Sequence, residues 1–295
     1  MFEEFKNAFN RHNNAHVQLI IINVVIFLLM AVFYVFAKVG KFEETFLLVH
    51  NQFVIPPTLA EFTTRPWTII TYAFAHDLTG IFHILFNMLF LYWFGKLFAE
   101  YLGSDKLMAL YILGALAAAT FYLLLFNTVP FFKEQSDFPG MVGASGAIYA
   151  IMVGVATLLP DYTFFLMFLG PVRVKYIAAF YIIVSFIGSV GANSGGNIAH
   201  LGGALMGFIY IKQLQAGVNW GGWITAVLDW VKNLFKPRSK VKVSYRKEEP
   251  KQKKGSPLSK ASQEEIDAIL DKISDRGYES LSKDEKEKLF NASKK

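Results

Sequence analysis

Ser145 stands between Gly143 and Gly146 at the opening of Met141–Pro160, a run of 20 residues with no charged side chain. His200 is the one titratable group near the start of a second apolar run, Gly196-Asn-Ile-Ala-His200-Leu-Gly-Gly. Polar groups at membrane depth are costly and by default mark function. A serine hydroxyl is a weak nucleophile at neutral pH and needs a base within hydrogen-bond reach. An imidazole at the matching end of a neighbouring helix supplies that base. Neither run carries Asp or Glu, so no carboxylate is at hand to orient the ring. The pair is then a dyad whose imidazole is held by packing. Tyr149, one helical turn beyond Ser145, is on the face from which it can stack on that ring.

Nucleophilic attack on a carbonyl also needs a place for negative charge. Ser145 sits where a helix begins, so its backbone N–H and those of its neighbours have no intrahelical acceptor. Gly143 and Gly146 let backbone and substrate approach closely. His83 and Asn87, at i and i+4 on one helical face, add two side-chain donors. Each residue also has a purely structural reading. A serine among glycines makes close helix contacts, a lone histidine or asparagine can bond across helices, and Ala199, Gly203 and Gly207 at four-residue spacing form a packing stripe. The stripe is accepted as structural. For the others the decision rests on where the elements place them.

Six apolar spans can be drawn: Val17–Ala37, about Ile81–Gly95, Leu107–Phe126, one starting near Val142, roughly Tyr176–Val190 and roughly Asn197–Ile211. The second, fifth and sixth are shorter than the ~20 residues that cross a hydrocarbon core, which implies tilt, local thinning or recessed helix starts. The first is too long for a signal-peptide core and reads as a retained span. An even number of spans puts both termini on one side. Within residues 1–235 that side carries eight Lys/Arg and the other four, which places the termini in the cytoplasm. The second, fourth and sixth spans then run in the same direction, and His83, Asn87, Ser145 and His200 share one layer near the outer face.

Composition agrees with a membrane body and a soluble tail. The chain of 295 residues is 54% apolar and 18% charged, against about a quarter charged in soluble domains. Residues 1–235 hold 12 basic and 12 acidic side chains, so the whole net charge of +6 lies in the tail. With no cysteine in the sequence, disulfides, thiolate metal sites and cysteine nucleophiles are excluded. A channel or transporter would place charges along an intramembrane path, and the six spans contain no Asp, Glu, Lys or Arg.

Residues 1–16 form an N-terminal segment and 17–214 the six-helix core. Within it Lys38–Arg65 is a long outer loop lying partly in the interface, and Gly188–Gly196 is a glycine-rich outer loop that acts as a mobile cover. Residues 215–235 form an interfacial amphipathic helix, with Trp223, Val227, Trp230 and Leu234 on one stripe. Residues 236–260 are a basic disordered linker attracted to anionic lipid rather than to nucleic acid. Residues 261–295 form a helical hairpin, from two capping boxes at Ser262-x-x-Glu265 and Ser282-x-x-Glu285.

With these residues in view, the chain resembles the rhomboid intramembrane serine proteases. The resemblance is carried by His83-Ile-Leu-Phe-Asn87, by Gly143-Ala-Ser145-Gly146 with Tyr149, and by Ala199-His200 followed by Gly203 and Gly207. Gly95, Glu100 and Gly103 also fit, and the match covers about residues 15–215. It implies an all-α membrane protein, a six-transmembrane-helix bundle of bacterial type with a small cytoplasmic C-terminal module. It implies Ser145 as nucleophile, His200 as general base, and His83, Asn87 and the Ser145 backbone as the oxyanion hole. The implied activity is endopeptidase cleavage of single-pass or multi-pass membrane proteins near their outer ends, through an acyl-enzyme and without cofactor or metal. The implied location is a bacterial inner membrane with the site facing outward. A rhomboid-like pseudoprotease that only binds clients is the alternative, and the intact Ser/His pair argues against it. Many family members carry Trp-Arg in the first outer loop, whereas here Trp67 is followed by Thr68.

Overall fold

In an apolar medium the backbone can satisfy its polar groups only internally, and the longest apolar runs of the chain accordingly form continuous helices. The computed structural model describes residues 13–134, 140–166, 170–235 and 258–293. The chain divides into two compact units, Met1–Lys236 and Pro237–Lys295. In the first unit, α1 (Ala15–Gly40), α2 (Glu43–His50), α3 (Leu59–Thr64) and the short α4 (Thr68–Thr71) precede α5 (Ile81–Leu102). Then come α6 (Ser104–Thr128), α7 (Pro130–Lys133), α8 (Ser145–Leu158), α9 (Val174–Gly188), α10 (Ser194–Gln215) and α11 (Gly222–Phe235). Among the described residues α1, α5 and α6 are long and apolar enough to cross a membrane, while α8 and α9 are shorter apolar helices.

Helix ends differ from the apolar spans for local reasons. α5 does not stop at Gly95. It continues through Lys96 and Glu100, which pair at 3.9 Å, and ends only at Gly103, whose φ of 87° breaks the helix. α1 ends at Lys41 in the left-handed region. α8 starts three residues after Val142, because Gly143 takes a φ of 133°. The purely helical expectation is also corrected. β1 (Thr163–Leu166) and β2 (Gly170–Arg173) form an antiparallel pair between α8 and α9. Asp161 holds its base, accepting from Lys175 at 2.7 Å and Arg173 at 3.2 Å, and these cations, Lys175 first, keep its carboxyl below the usual range.

α8 is the centre of the first unit, packed most extensively on α10 and then on α6 and α5. The close approach depends on the glycine stripe. A Cβ at Gly203 would collide with the carbonyl oxygen of Gly146, and one at Gly207 with that of Ala150. Backbone oxygens cannot rotate away as side chains do. Gly203→Ala is therefore expected to cost about 1–3 kcal/mol through overpacking, read as a lower unfolding temperature in detergent. A wild-type melting curve would show that α8 and α10 separate freely at this point.

The first outer loop is folded. Arg65 donates to the Asn51 carbonyl at 2.8 Å, and the buried Thr68 hydroxyl donates to the Arg65 carbonyl at 2.6 Å. Thr68 thus belongs to the turn that holds Arg65. The Gly188–Gly196 segment is tied down, since Asn197 Nδ2 donates to Gly188 O at 3.0 Å and to Asn193 O at 2.9 Å. On α11, Trp223, Val227, Trp230 and Leu234 are all exposed.

In the second unit α12 (Leu258–Arg276) and α13 (Lys283–Ser293) flank a single 3-10 turn, Tyr278–Ser280. Around Ser282 both reciprocal bonds of a capping box are present: Ser282 N–H donates to Glu285 Oε2 at 2.7 Å and Glu285 N–H to Ser282 Oγ at 3.3 Å. Lys272, bonded at 2.9 Å, followed by the Ser282 N–H, pushes the Glu285 carboxyl down to about 2. The first box is not a helix start, because α12 begins at Leu258 and Ser262 lies inside it. Residues 1–12 and 236–257, with the linker's lipid attraction, lie outside the described residues, and the last three residues of the expected 236–260 linker are corrected to helix, since α12 begins at Leu258.

Candidate active site

The segment entering α8 is fixed by backbone bonds before any side chain acts. Ile55 and Met141 exchange N–H to carbonyl bonds at 3.1 and 2.9 Å, and Gly143 N–H donates to the Tyr72 carbonyl at 3.0 Å. Tyr72 is buried and its hydroxyl donates to Ala115 O at 2.7 Å. Ser145 is thereby held as the first residue of α8, where the leading N–H groups lack intrahelical acceptors.

α10 brings His200 to this point. Its Nε2 lies 2.8 Å from Ser145 Oγ, within the range of a hydroxyl-to-nitrogen hydrogen bond. The imidazole lies flat on the Tyr149 ring, with centroids 4.1 Å apart and planes 9° from parallel. Stacking fixes the plane of the ring, which is the orienting role that packing must play when no carboxylate is present.

His83 and Asn87 open α5 beside the pair. A Cβ at Gly143 would come within 3.3 Å of His83 Nε2 and 3.6 Å of Ser145 Oγ, so glycine keeps the gap between them open. Asn87 is buried and its Nδ2 has no protein acceptor, a state that ordinarily costs free energy and leaves the donor for an incoming oxygen. His83, Asn87, Ser145 and His200 all line one cavity of about 980 Å³, with Phe86 and Phe90 on its apolar side. Ala199, Gly203 and Gly207 are buried at the α8–α10 contact. Among the described residues no group of three or more His, Asp or Glu is placed to hold a metal ion.

One neighbour is not evident in the sequence. Ser185 on α9 is buried, with Oγ 3.1 Å from His200 Nδ1 and 2.9 Å from the Tyr149 hydroxyl. Its only signal in the sequence is a lone hydroxyl inside Ile182–Ile187.

A serine hydroxyl bonded to a stacked imidazole, beside an unpaired amide donor and in a helical apolar body, defines a candidate serine-hydrolase site within a membrane protein. Residues 63–215 match the Rhomboid domain, and the chain belongs to the rhomboid family. Residues 259–295 match a second model, described as a family of unknown function (DUF6576). RHOMBOID-like protein 12, mitochondrial, of Arabidopsis thaliana is 35% identical over 66% of this chain and 59% of its own length. Rhomboid protein 1, mitochondrial, of Saccharomyces cerevisiae is 29% identical over 59% of this chain and 46% of its own. Rhomboid protease GlpG of Haemophilus influenzae is 25% identical over 64% and 88%. The chain thus spans about three-fifths or less of the two mitochondrial relatives.

The mitochondrial names of these two relatives overturn the expected bacterial inner membrane. The reason is physical. The bacterial location comes with the resemblance, whose motifs build a catalytic site, and loop charge reports only which side of a bilayer retains its basic loops; neither carries information on which membrane that is.

Proposed function

We propose that the chain is an intramembrane serine endopeptidase built on six spans, α1, α5, α6, α8, α9 and α10. The observation that carries this reading is the 2.8 Å approach of His200 Nε2 to Ser145 Oγ at the start of α8. α8 has 14 residues, so at ~1.5 Å per residue it is roughly 21 Å long, against a hydrocarbon core of ~30 Å. A helix that short recesses Ser145 below the membrane surface, with the cavity as its route to water. The exposed Trp and Leu side chains of α11 suit the interface of the bilayer.

In the reaction, Ser145 Oγ attacks the carbonyl carbon of the scissile peptide while its proton passes to His200 Nε2. The Ser145 N–H, Asn87 Nδ2 and His83 hold the oxyanion. Collapse breaks the C–N bond, His200 returns the proton to the leaving amine, and an acyl-enzyme on Ser145 remains. Water, deprotonated by His200, then releases the acid and restores the hydroxyl. The substrates are single-pass or multi-pass membrane proteins, cut where Gly or Pro lets a helix unwind near its end. No cofactor takes part in these steps.

The test is cleavage of a single-span substrate by protein reconstituted in liposomes, comparing His83→Ala and Asn87→Ala with wild type. One oxyanion donor is typically worth about 10²–10³ in rate, and donors acting mainly in the transition state lower kcat more than they raise KM. A change confined to KM in both variants would make these residues helix contacts and remove them from the hole.

A further inference from the structure

We propose that Ser185 is the positioning residue of His200, holding it in the Nδ1–H tautomer through a relay that ends on α9. The inference rests on the reading of Ser145 and His200 as nucleophile and base. To accept the Ser145 proton, Nε2 must be bare, so the proton of the neutral ring sits on Nδ1. Nδ1–H then needs an acceptor in a place where water is scarce. Ser185 Oγ, 3.1 Å away and 1% exposed, is that acceptor.

The remaining bonds continue in one direction. With Ser185 Oγ accepting from Nδ1–H, its own proton goes to the Tyr149 hydroxyl oxygen 2.9 Å away, and Tyr149 donates to the Tyr181 carbonyl at 3.4 Å. Every donor from Ser145 to Tyr149 has one acceptor, and the chain closes on a backbone oxygen that has no proton to give back. Reversing the relay would put the Ser185 proton against Nδ1, strip Nδ1 of hydrogen and leave Nε2–H pointing at the nucleophile. Ser185 therefore takes the orienting part that a carboxylate plays in a triad, with a neutral oxygen in place of a charge. Tyr149 acts twice, by its face on the imidazole and by its hydroxyl on Ser185.

The relay also ties the base to a third helix. Ser145 and Tyr149 are on α8 and His200 on α10, whereas Ser185 is one of three buried α9 residues, with Val174 and Ala178. α9 packs on α8 and α10 less extensively than those two pack on each other. Displacing α9 would take the Nδ1 acceptor with it and disarm His200 without moving Ser145.

The test uses the full chain in liposomes or detergent with 15N-labelled histidine. Ser185→Ala should lower kcat by about 10- to 100-fold, the worth of a hydrogen bond to a group that becomes charged in the transition state. KM should hold, and the His200 nitrogen resonances should shift away from the Nδ1–H tautomer. Ser185→Thr, which keeps the hydroxyl, should restore rate and tautomer. If Ser185→Ala does not fold, Tyr149→Phe keeps the stacked ring, removes the next oxygen in the relay, and should move both readouts in the same direction. Unchanged kcat, or a loss of rate that leaves His200 in the Nδ1–H form, overturns the proposal. Ser145→Ala is measured alongside: cleavage that survives it defeats the reading of the site, whereas Ser145-dependent cleavage indifferent to Ser185 defeats this inference alone.

Discussion

Ser145→Ala is expected to reduce cleavage of a reconstituted single-span substrate to background, a loss of roughly 10⁴- to 10⁶-fold by comparison with serine hydrolases. The side-chain hydroxyl bonds to His200 at 2.8 Å, and the backbone that positions it is held independently through Met141 and Gly143. The variant should therefore unfold at the wild-type temperature while being inactive. Substrate should still bind, since the cavity and the donors His83 and Asn87 are untouched. Turnover at a measurable fraction of wild type in this variant would mean that another group attacks the substrate.

The second large effect belongs to His200→Ala. Without the imidazole the base bonded to Ser145 is gone, and the loss should match that of Ser145→Ala. The double variant should lose no more than either single one, because nucleophile and base act as a unit. Removing the ring also removes the surface on which Tyr149 stacks, so a lower melting temperature accompanies this variant and not the first. Additive losses in the double variant would show that the two side chains serve separate purposes.

The residues that can be read from the sequence share one property, that their chemistry conflicts with an apolar setting. Ser145, His200, His83 and Asn87 stand out because each is costly at membrane depth, and Tyr149 follows from helical spacing. Parity of the spans places them in one layer, and the structure brings them to one cavity. Ser185 does not stand out. A serine in a helix can satisfy its own hydroxyl on the preceding turn, so it is not marked by cost, and which face of α9 meets α10 is a tertiary fact. The β1–β2 pair is hidden for a different reason, since each strand has four residues, too few to show a two-residue period. Helix ends are misplaced wherever charge is taken as the stop signal. Lys96 and Glu100 lie within α5, and a glycine at positive φ ends it. Loop charge can orient a chain in a bilayer without naming the membrane.

The most direct measurement is covalent labelling of the purified protein by a fluorophosphonate, with the modified residue located by mass spectrometry. A single adduct on Ser145 is expected, and it should fail to form when His200 is alanine, because an unactivated serine reacts slowly. An adduct on any other residue, or labelling of the His200→Ala protein at the wild-type rate, would contradict it.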